Sequence, residues 1–141
     1  MPKAFNHRNG ICSLVLPDGW DYKYEGSQVI LSQPNRDSGA VVVSCLGPPE
    51  GIMPDAEQFI ADHVIPKFAL DQDRISIVQL PSPATELDIA YTEFNAKGDV
   101  WRTWVFAKKD KLVFVSYNGP PDVASKEKDT VESIIASLRV A

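Results

Sequence analysis

Three β-strand patterns decide the fold of this chain: TELDIAYTEFN (85–95), VWRTWVFA (100–107) and LVFVSY (112–117). Each is rich in β-branched and aromatic residues, which favour strands. The links between them, residues 96–99 and 108–111, are short and polar, and Gly98 permits the positive φ of a tight hairpin turn. Because short links join antiparallel neighbours, the stretch predicts an antiparallel meander.

The residues before the meander predict further strands and one helix. Strand patterns occur at 11–16, 20–25, 28–32, 40–46 and 75–80. The run at 40–46 is apolar almost throughout, which predicts a strand buried on both faces. Asp55 is placed as the N-cap of an amphipathic helix, with Gln58 completing a capping box, and Pro66 kinks or ends this helix. The apolar stripe of the helix is predicted to contain Ala56, Phe59, Ile60, His63 and Val64.

A second amphipathic helix closes the chain. Val131, Ile134, Ile135 and Leu138 follow helical spacing, Asp122 is the predicted cap, and the charged residues 125–129 are the predicted solvent face. This order of elements predicts the α+β class, with an antiparallel, meander-rich sheet flanked by two main helices. A length of 141 residues fits a single domain over residues 1–141. Residues 1–10 are predicted to be a mobile N-terminal segment.

Charge and hydropathy argue against several classes of protein. The chain has 14 Lys and Arg against 19 Asp and Glu, a net charge of −5, and dispersed basic residues. We therefore expect no nucleic-acid partner, because phosphate binding needs a basic face. No membrane span is expected, because no apolar run is long enough, and no signal-peptide pattern begins the chain. Cys12 and Cys45 fall in strand patterns and could pair only if their strands are adjacent. A reduced, cytoplasmic protein is the prediction.

The residues that carry chemistry form no recognisable catalytic pattern. His7 and His63 are the two histidines, and zinc spacing, a nucleophile elbow and a phosphate-binding loop are absent from the sequence. Carboxylates are plentiful, but most fall in predicted turns and caps. A glycosidase-like pair from distant segments would leave no spacing to detect. We predict no catalytic, cofactor or metal site, and an enzyme stays open as an alternative.

The candidate partner-binding residues lie on one strand and in two loops. Arg102, Trp104 and Phe106 share one face of the 100–107 strand, and an exposed face there would suit a protein partner. The alternative is that both tryptophans, Trp101 and Trp104, are buried between helix layers. The loops are stiffened by proline and could present a fixed binding edge; their prolines are Pro48, Pro49, Pro120 and Pro121.

Short motifs of this chain resemble the PsbP-like group. They are LPDGW (16–20), the strand LVFVSY (112–117) and the helix end IIASLR (134–139). The group includes photosystem-associated PsbP proteins, bacterial DcrB-like proteins and a nuclear-import factor that binds the small GTPase Ran. The resemblance implies a sheet with helices on both sides and function by binding. Some bacterial relatives hold hydrophobic segments of secreted toxins as adaptors or chaperones. The matched positions carry no known functional motif, so no ligand residue is carried over.

These observations support two hypotheses about function. The first is a non-catalytic protein-binding module, a cytoplasmic adaptor or chaperone for a secreted effector, whose partner is another protein. The alternative is a small-molecule-binding protein or enzyme with a pocket between sheet and helix. A homodimer is a further alternative, because a second copy could cover an exposed sheet edge or face.

Overall fold

The computed structural model describes residues 2–34, 38–46, 55–71, 76–81, 87–108 and 111–141. Within these ranges, ten strands and two helical regions follow one another. Their bounds are β1 Lys3–Asn6, β2 Cys12–Leu16, β3 Asp21–Glu25, β4 Gln28–Ser32, β5 Ala40–Leu46, α1 Ala56–Phe59, a π-helical segment Ile60–Val64, α2 Ile65–Lys67, β6 Val78–Leu80, β7 Leu87–Ala96, β8 Asp99–Lys108, β9 Lys111–Gly119, α3 Pro121–Ser137 and β10 Arg139–Val140. The α+β class and the two flanking helical regions are confirmed.

The larger sheet is antiparallel and has seven strands in the order β3-β4-β5-β9-β8-β7-β6. The predicted meander is confirmed, because β7, β8 and β9 are neighbours in chain order. Ala96 pairs with Asp99, which leaves a two-residue loop of Lys97 and Gly98. Both loop residues have positive φ, 55° and 83°. That combination is the type I′ turn, whose twist matches the strands on either side.

A second sheet contains the two ends of the chain, with β2 between β1 and β10. The predicted mobile segment at residues 1–10 is therefore corrected, since Lys3–Asn6 forms strand β1. Two buried rings of this segment explain why it is ordered. Phe5 and His7 are buried, and both contact the Tyr24 ring of β3. Burial of these rings offsets the entropy lost by ordering a chain terminus.

Helical segments cover both faces of the large sheet. On one face, Val131 and Ile134 of α3 belong to a buried cluster with Trp104 and Val115. On the other face, Phe59 and Ile60 belong to a second buried cluster with Val105. The sheet thus has two covered faces, and α1 packs mainly on β7 and β8. This is why the prediction for β5 was half right: Val41 and Val43 are fully buried on one face, and Val42 is half-buried on the other.

The first helical region contains a π-helical segment that shifts its buried face. Asp55 caps it as predicted, since its carboxylate accepts a hydrogen bond from the Gln58 amide at 2.6 Å. The predicted position of His63 on the apolar stripe was wrong: its side chain is exposed and its ring contacts Phe59. The wider π-helical turn changes which residues face the sheet, so Val64 and Ile65 are buried and His63 is not. The helix ends just after Pro66, at Lys67.

The closing helix confirms its predicted stripe and corrects its predicted ends. Val131, Ile134 and Leu138 are buried. Asp122 is not the cap, because α3 starts at Pro121 and Asp122 lies in the first turn, where a negative charge is favourable. The predicted solvent face at 125–129 also contains a buried residue, Glu127. The predicted strand at 75–80 is observed as Val78–Leu80, and residues 72–75 lie outside the described part of the chain.

Two glycines separate the effects of crowding and of backbone conformation. A Cβ at Gly39 would lie 2.5 Å from the Tyr117 ring, whereas a Cβ at Gly98 would meet nothing within 4 Å. We expect Gly39→Ala to lower the free energy of unfolding by about 3 kcal/mol through overpacking. Gly98→Ala should cost about 1 kcal/mol, because only the positive φ is unfavourable. Urea denaturation of the two variants checks this order, and equal costs would contradict it.

Candidate functional site

An apolar groove runs between α3 and the end of the large sheet at β6, and we call it the α3–β6 groove. It consists of two adjoining cavities of about 270 and 200 Å³ that share Leu80 and Ile135. The first is lined by Leu80, Tyr91, Arg102, Trp104, Glu132 and Ile135. The second is lined by Leu80, Pro81, Leu87, Ile89, Phe106, Ile135, Ala136, Leu138 and Arg139. In the part of the chain that the structure describes, β6 is the last strand on this side.

Arg102 is held rigidly in the wall of this groove. Its Nε donates a hydrogen bond to the Tyr91 hydroxyl at 3.0 Å, and its Nη2 lies 3.0 Å from Glu132 Oε1. The guanidinium carbon is 4.9 Å from the centroid of the Trp104 ring, a cation–π contact. Among the described residues, Nη1 is buried and has no hydrogen-bond partner. Burial raises the pKa of Tyr91, which the hydrogen bond from Arg102 opposes. Tyr91 therefore stays neutral, and the hydrogen bonds of Arg102 fix the shape of this wall.

The structure brings together three of the residues predicted to bind a partner. Arg102, Trp104 and Phe106 all line the α3–β6 groove. They do not form the open apolar face considered above, because α3 covers them and Trp104 and Phe106 are each only 3% exposed. Trp101, on the opposite face of β8, is half-buried and stacks parallel to Phe94. The alternation of the strand was thus predicted. The buried Trp104 corresponds to the alternative in which the tryptophans lie between helix layers, whereas Trp101 is only half-buried.

The predicted loop prolines do not join the groove. Pro120 and Pro121 are exposed at the start of α3. Glu132 lies 11 residues further along, roughly 16 Å at the rise of an α-helix. Pro48 and Pro49 lie outside the described residues. What the sequence missed is that Leu80 and Ile135 would face each other, because only the tertiary fold brings β6 beside the end of α3.

A larger cavity of about 590 Å³ lies at the other end of α3, and we call it the Trp20 cavity. It is lined by Pro17, Asp18, Trp20, Gln33, Asp122, Val123, Lys126, Glu127 and Thr130. Its rim is the turn of the LPDGW motif, closed by a hydrogen bond of 3.2 Å from the Trp20 amide to the Pro17 carbonyl. Three carboxylates and one lysine make this cavity polar, in contrast to the α3–β6 groove.

The Glu127 side chain lines the Trp20 cavity and is the common acceptor of several hydrogen bonds. Its Oε1 accepts hydrogen bonds from the Gly39 amide and the Tyr117 hydroxyl, both at 2.8 Å. Its Oε2 accepts from Gln33 Nε2 at 2.7 Å and lies 2.8 Å from the Ser38 hydroxyl. The single Ser38 proton is shared, because the Gly39 carbonyl lies 2.7 Å away. These neutral donors replace the water that a buried carboxylate loses.

The sequence carried a signal for Glu127 that the charge pattern concealed. Ala124, Glu127, Val131 and Ile134 are spaced i, i+3, i+7 and i+10, and all four are buried. A carboxylate at a stripe position is a candidate for a buried, hydrogen-bonded group. Its donors on β9 and in the 33–39 segment could not be found from sequence, because they lie 10 to 94 residues away.

The two cysteines are adjacent, which the sequence left open. Cys12 of β2 and Cys45 of β5 are free thiols with their sulfur atoms 3.3 Å apart.

Among the described residues, no group of three or more His, Cys, Asp or Glu side chains is placed to hold a metal ion. Within the same ranges, no helix has the length and apolar character needed to cross a membrane.

Comparison with known proteins identifies the architecture. No family model matches the chain, and no curated protein matches it in sequence. Cyanobacterial PsbP (CyanoP) from Synechocystis sp. PCC 6803 superposes with a TM-score of 0.68 at 11% identity, covering 99% of this chain and 92% of CyanoP. The chain has a PsbP-like fold. The resemblance of the short motifs is thereby confirmed at the level of fold.

A second similar structure is a crystal structure from Bacteroides thetaiotaomicron VPI-5482, with a TM-score of 0.70 at 19% identity. The alignment covers 99% of this chain and 48% of the Bacteroides protein, so this chain spans about half the length of that one. At such identities both likenesses show the fold alone.

The hydrogen bond between Tyr117 and Glu127 predicts sensitivity to alkali. Burial, together with that hydrogen bond, raises the pKa of Tyr117 above its ordinary value of 10.0. In the unfolded chain this tyrosine ionises near pH 10, whereas the folded chain keeps it neutral. Its contribution to stability is therefore complete below pH 10 and is lost as the pH rises towards the folded-state pKa.

We expect Tyr117→Phe to lower stability at pH 8 by about 1 kcal/mol, through the lost hydrogen bond. The same variant should lose less further stability than the wild type between pH 10 and 11. Urea midpoints across this range measure both effects. Tyr22→Phe is the control, because its side chain is exposed and Tyr117 remains. An unchanged alkaline slope in Tyr117→Phe would show that Tyr117 does not cause it.

Proposed function

We propose that this protein is a non-catalytic protein-binding module, a cytoplasmic adaptor or chaperone that holds an apolar segment of a secreted protein in the α3–β6 groove. The observation that carries the proposal is the apolar lining of the groove beside β6, which is the edge strand of the large sheet among the described residues. Leu80 and Ile135 line both of its cavities. Leucine and isoleucine side chains left at a groove favour an apolar occupant, because its binding removes their surface from water.

Strand β6 extends this apolar surface beyond the two cavities. Val78 and Leu80 are two residues apart, so their side chains point to the same face of the sheet. Val78 is 46% exposed and pairs with Tyr91, which lines the groove. An extended segment lying along β6 would cover Val78 and could pair with the strand edge, a common mode of peptide recognition.

The rigid wall supports binding of a partner with a modest entropic cost. The hydrogen bonds of Arg102 to Tyr91 and Glu132 fix the side chains that border the groove. A preformed surface loses little freedom when it is occupied.

A second candidate function is binding of a small molecule in the Trp20 cavity. Its volume, about 590 Å³, is within the range of ligand pockets, and Trp20 offers an aromatic wall. Thr130→Tyr should fill part of this cavity without touching the α3–β6 groove. A compound that raises the melting temperature of the wild type and fails to raise that of Thr130→Tyr would favour this second function.

The proposed function predicts the effect of one exposed valine. Phage-displayed random peptides selected on the wild-type protein should be enriched in apolar sequences. In fluorescence anisotropy, Val78→Lys should weaken their binding about tenfold or more, because a buried valine contributes at least about 1.5 kcal/mol. Val15→Lys is the matched control, because Val15 is also a strand valine, 43% exposed, on the other sheet. Val15→Lys should change the affinity for the selected peptides less than twofold.

Other outcomes would replace the proposal. If no apolar peptide is enriched, or if Val78→Lys and Val15→Lys bind equally well, the α3–β6 groove is not a peptide site. Light scattering tests whether a second copy occupies it. A wild-type dimer that Val78→Lys converts to a monomer would make the groove a homodimer interface.

A further inference from the structure

We propose that Cys12 and Cys45 form an oxidation site that closes into an intrachain disulfide when a hydroperoxide reacts with Cys45. The proposal is independent of the α3–β6 groove and its occupant. Its basis is the position of the two sulfur atoms, 3.3 Å apart on strands of different sheets. A disulfide has a sulfur–sulfur distance of about 2.05 Å, so the two atoms need to approach by roughly 1.2 Å.

The two thiols differ in accessibility, which assigns their roles. Cys12 is only 4% exposed and belongs to the same buried cluster as Phe5 and Leu14. Cys45 is half-buried, so it is the more exposed of the two residues to a small oxidant. The accessible thiol reacts first with the oxidant, and the buried thiol then resolves the product.

The hydrogen bond between the thiols supports the same assignment. The Cys12 thiol stabilises a Cys45 thiolate, which lowers the pKa of Cys45; burial opposes this shift and the Asn9 side chain adds to it. The pKa of Cys12 is raised by its hydrogen bond to Cys45 and by burial. A thiolate is the nucleophile in reactions of cysteine with peroxides, so Cys45 is the reactive member.

The chemistry balances with a hydroperoxide as the only co-reactant. The Cys45 thiolate attacks the terminal peroxide oxygen, the O–O bond breaks, and Cys45 becomes a sulfenic acid while the leaving group takes a proton and departs as an alcohol or water. The Cys12 sulfur then attacks the Cys45 sulfur, and the hydroxyl group leaves with the Cys12 proton as water. Two thiols have lost two hydrogen atoms, and the peroxide has been reduced by two electrons.

The disulfide would join the two sheets of the protein. Strand β2 carries β1 and β10 on its two sides, and β5 lies inside the large sheet. The bond would link residues 33 positions apart. Closing a loop of this length restricts the unfolded chain, so the oxidised protein should melt on the order of 10 °C higher.

Hydrogen peroxide added to the reduced, folded protein tests the proposal. We expect a monomer that has lost two hydrogen atoms in intact mass, a peptide map that links Cys12 to Cys45, and full reversal by dithiothreitol. In Cys12→Ser and in Cys12→Ala, oxidation should stop at Cys45 with a gain of oxygen and no linked peptide. In Cys45→Ser, the remaining Cys12 should resist oxidation.

Three results would overturn the proposal. They are dimers linked between chains, oxygen added to both cysteines of the wild type without a linked peptide, and unchanged thiols under conditions that oxidise free cysteine. Circular dichroism and urea unfolding confirm that each variant is folded, and two Cys12 variants are used because serine introduces a hydroxyl at a buried position. Equal melting temperatures of the oxidised and reduced proteins would contradict the proposed link between the sheets.

Discussion

The buried carboxylate of Glu127 is the interaction on which the rest of this structure depends. It lies on α3 and accepts hydrogen bonds from Tyr117 of β9, from Gln33, and from Ser38 and Gly39 just before β5. A carboxylate in this position is tolerated because donors replace its lost water, and removing it would leave the buried Gly39 amide and Tyr117 hydroxyl without this acceptor. Glu127 thereby fixes where α3 lies on the sheet, and α3 in turn forms one wall of the α3–β6 groove and of the Trp20 cavity.

The position of α3 determines which surfaces remain for function. Helices cover both faces of the large sheet, so the aromatic side chains of β8 serve mainly as core. Two surfaces of the described residues stay accessible beside α3: the boundary where α3 ends against β6 and the boundary where it begins against the LPDGW turn. One is apolar and narrow, and the other is polar and larger. A partner's apolar segment suits the first boundary, and a small polar molecule suits the second.

The PsbP-like fold itself does not select between these functions. Both superposed structures share less than a fifth of their residues with this chain, and a fold can host unrelated activities. The proposal of a protein-binding module therefore rests on the lining of the α3–β6 groove and on the exposed valine beside it. The cysteine pair is a separate feature, since it lies between the two sheets and could change their coupling without altering the groove.

By itself the sequence determined the elements that depend on local patterns. Alternation predicted which of Trp101 and Trp104 would share a face with Arg102, and Gly98 predicted the hairpin turn, because both depend on the nearest residues. Only the tertiary structure decided the burial of Glu127, the formation of strand β1 and the adjacency of Cys12 and Cys45. These depend on groups far apart in the chain, whose partners no local spacing reveals. The same reason explains why the sequence named Arg102, Trp104 and Phe106 as a site yet could not show that α3 and β6 would enclose them.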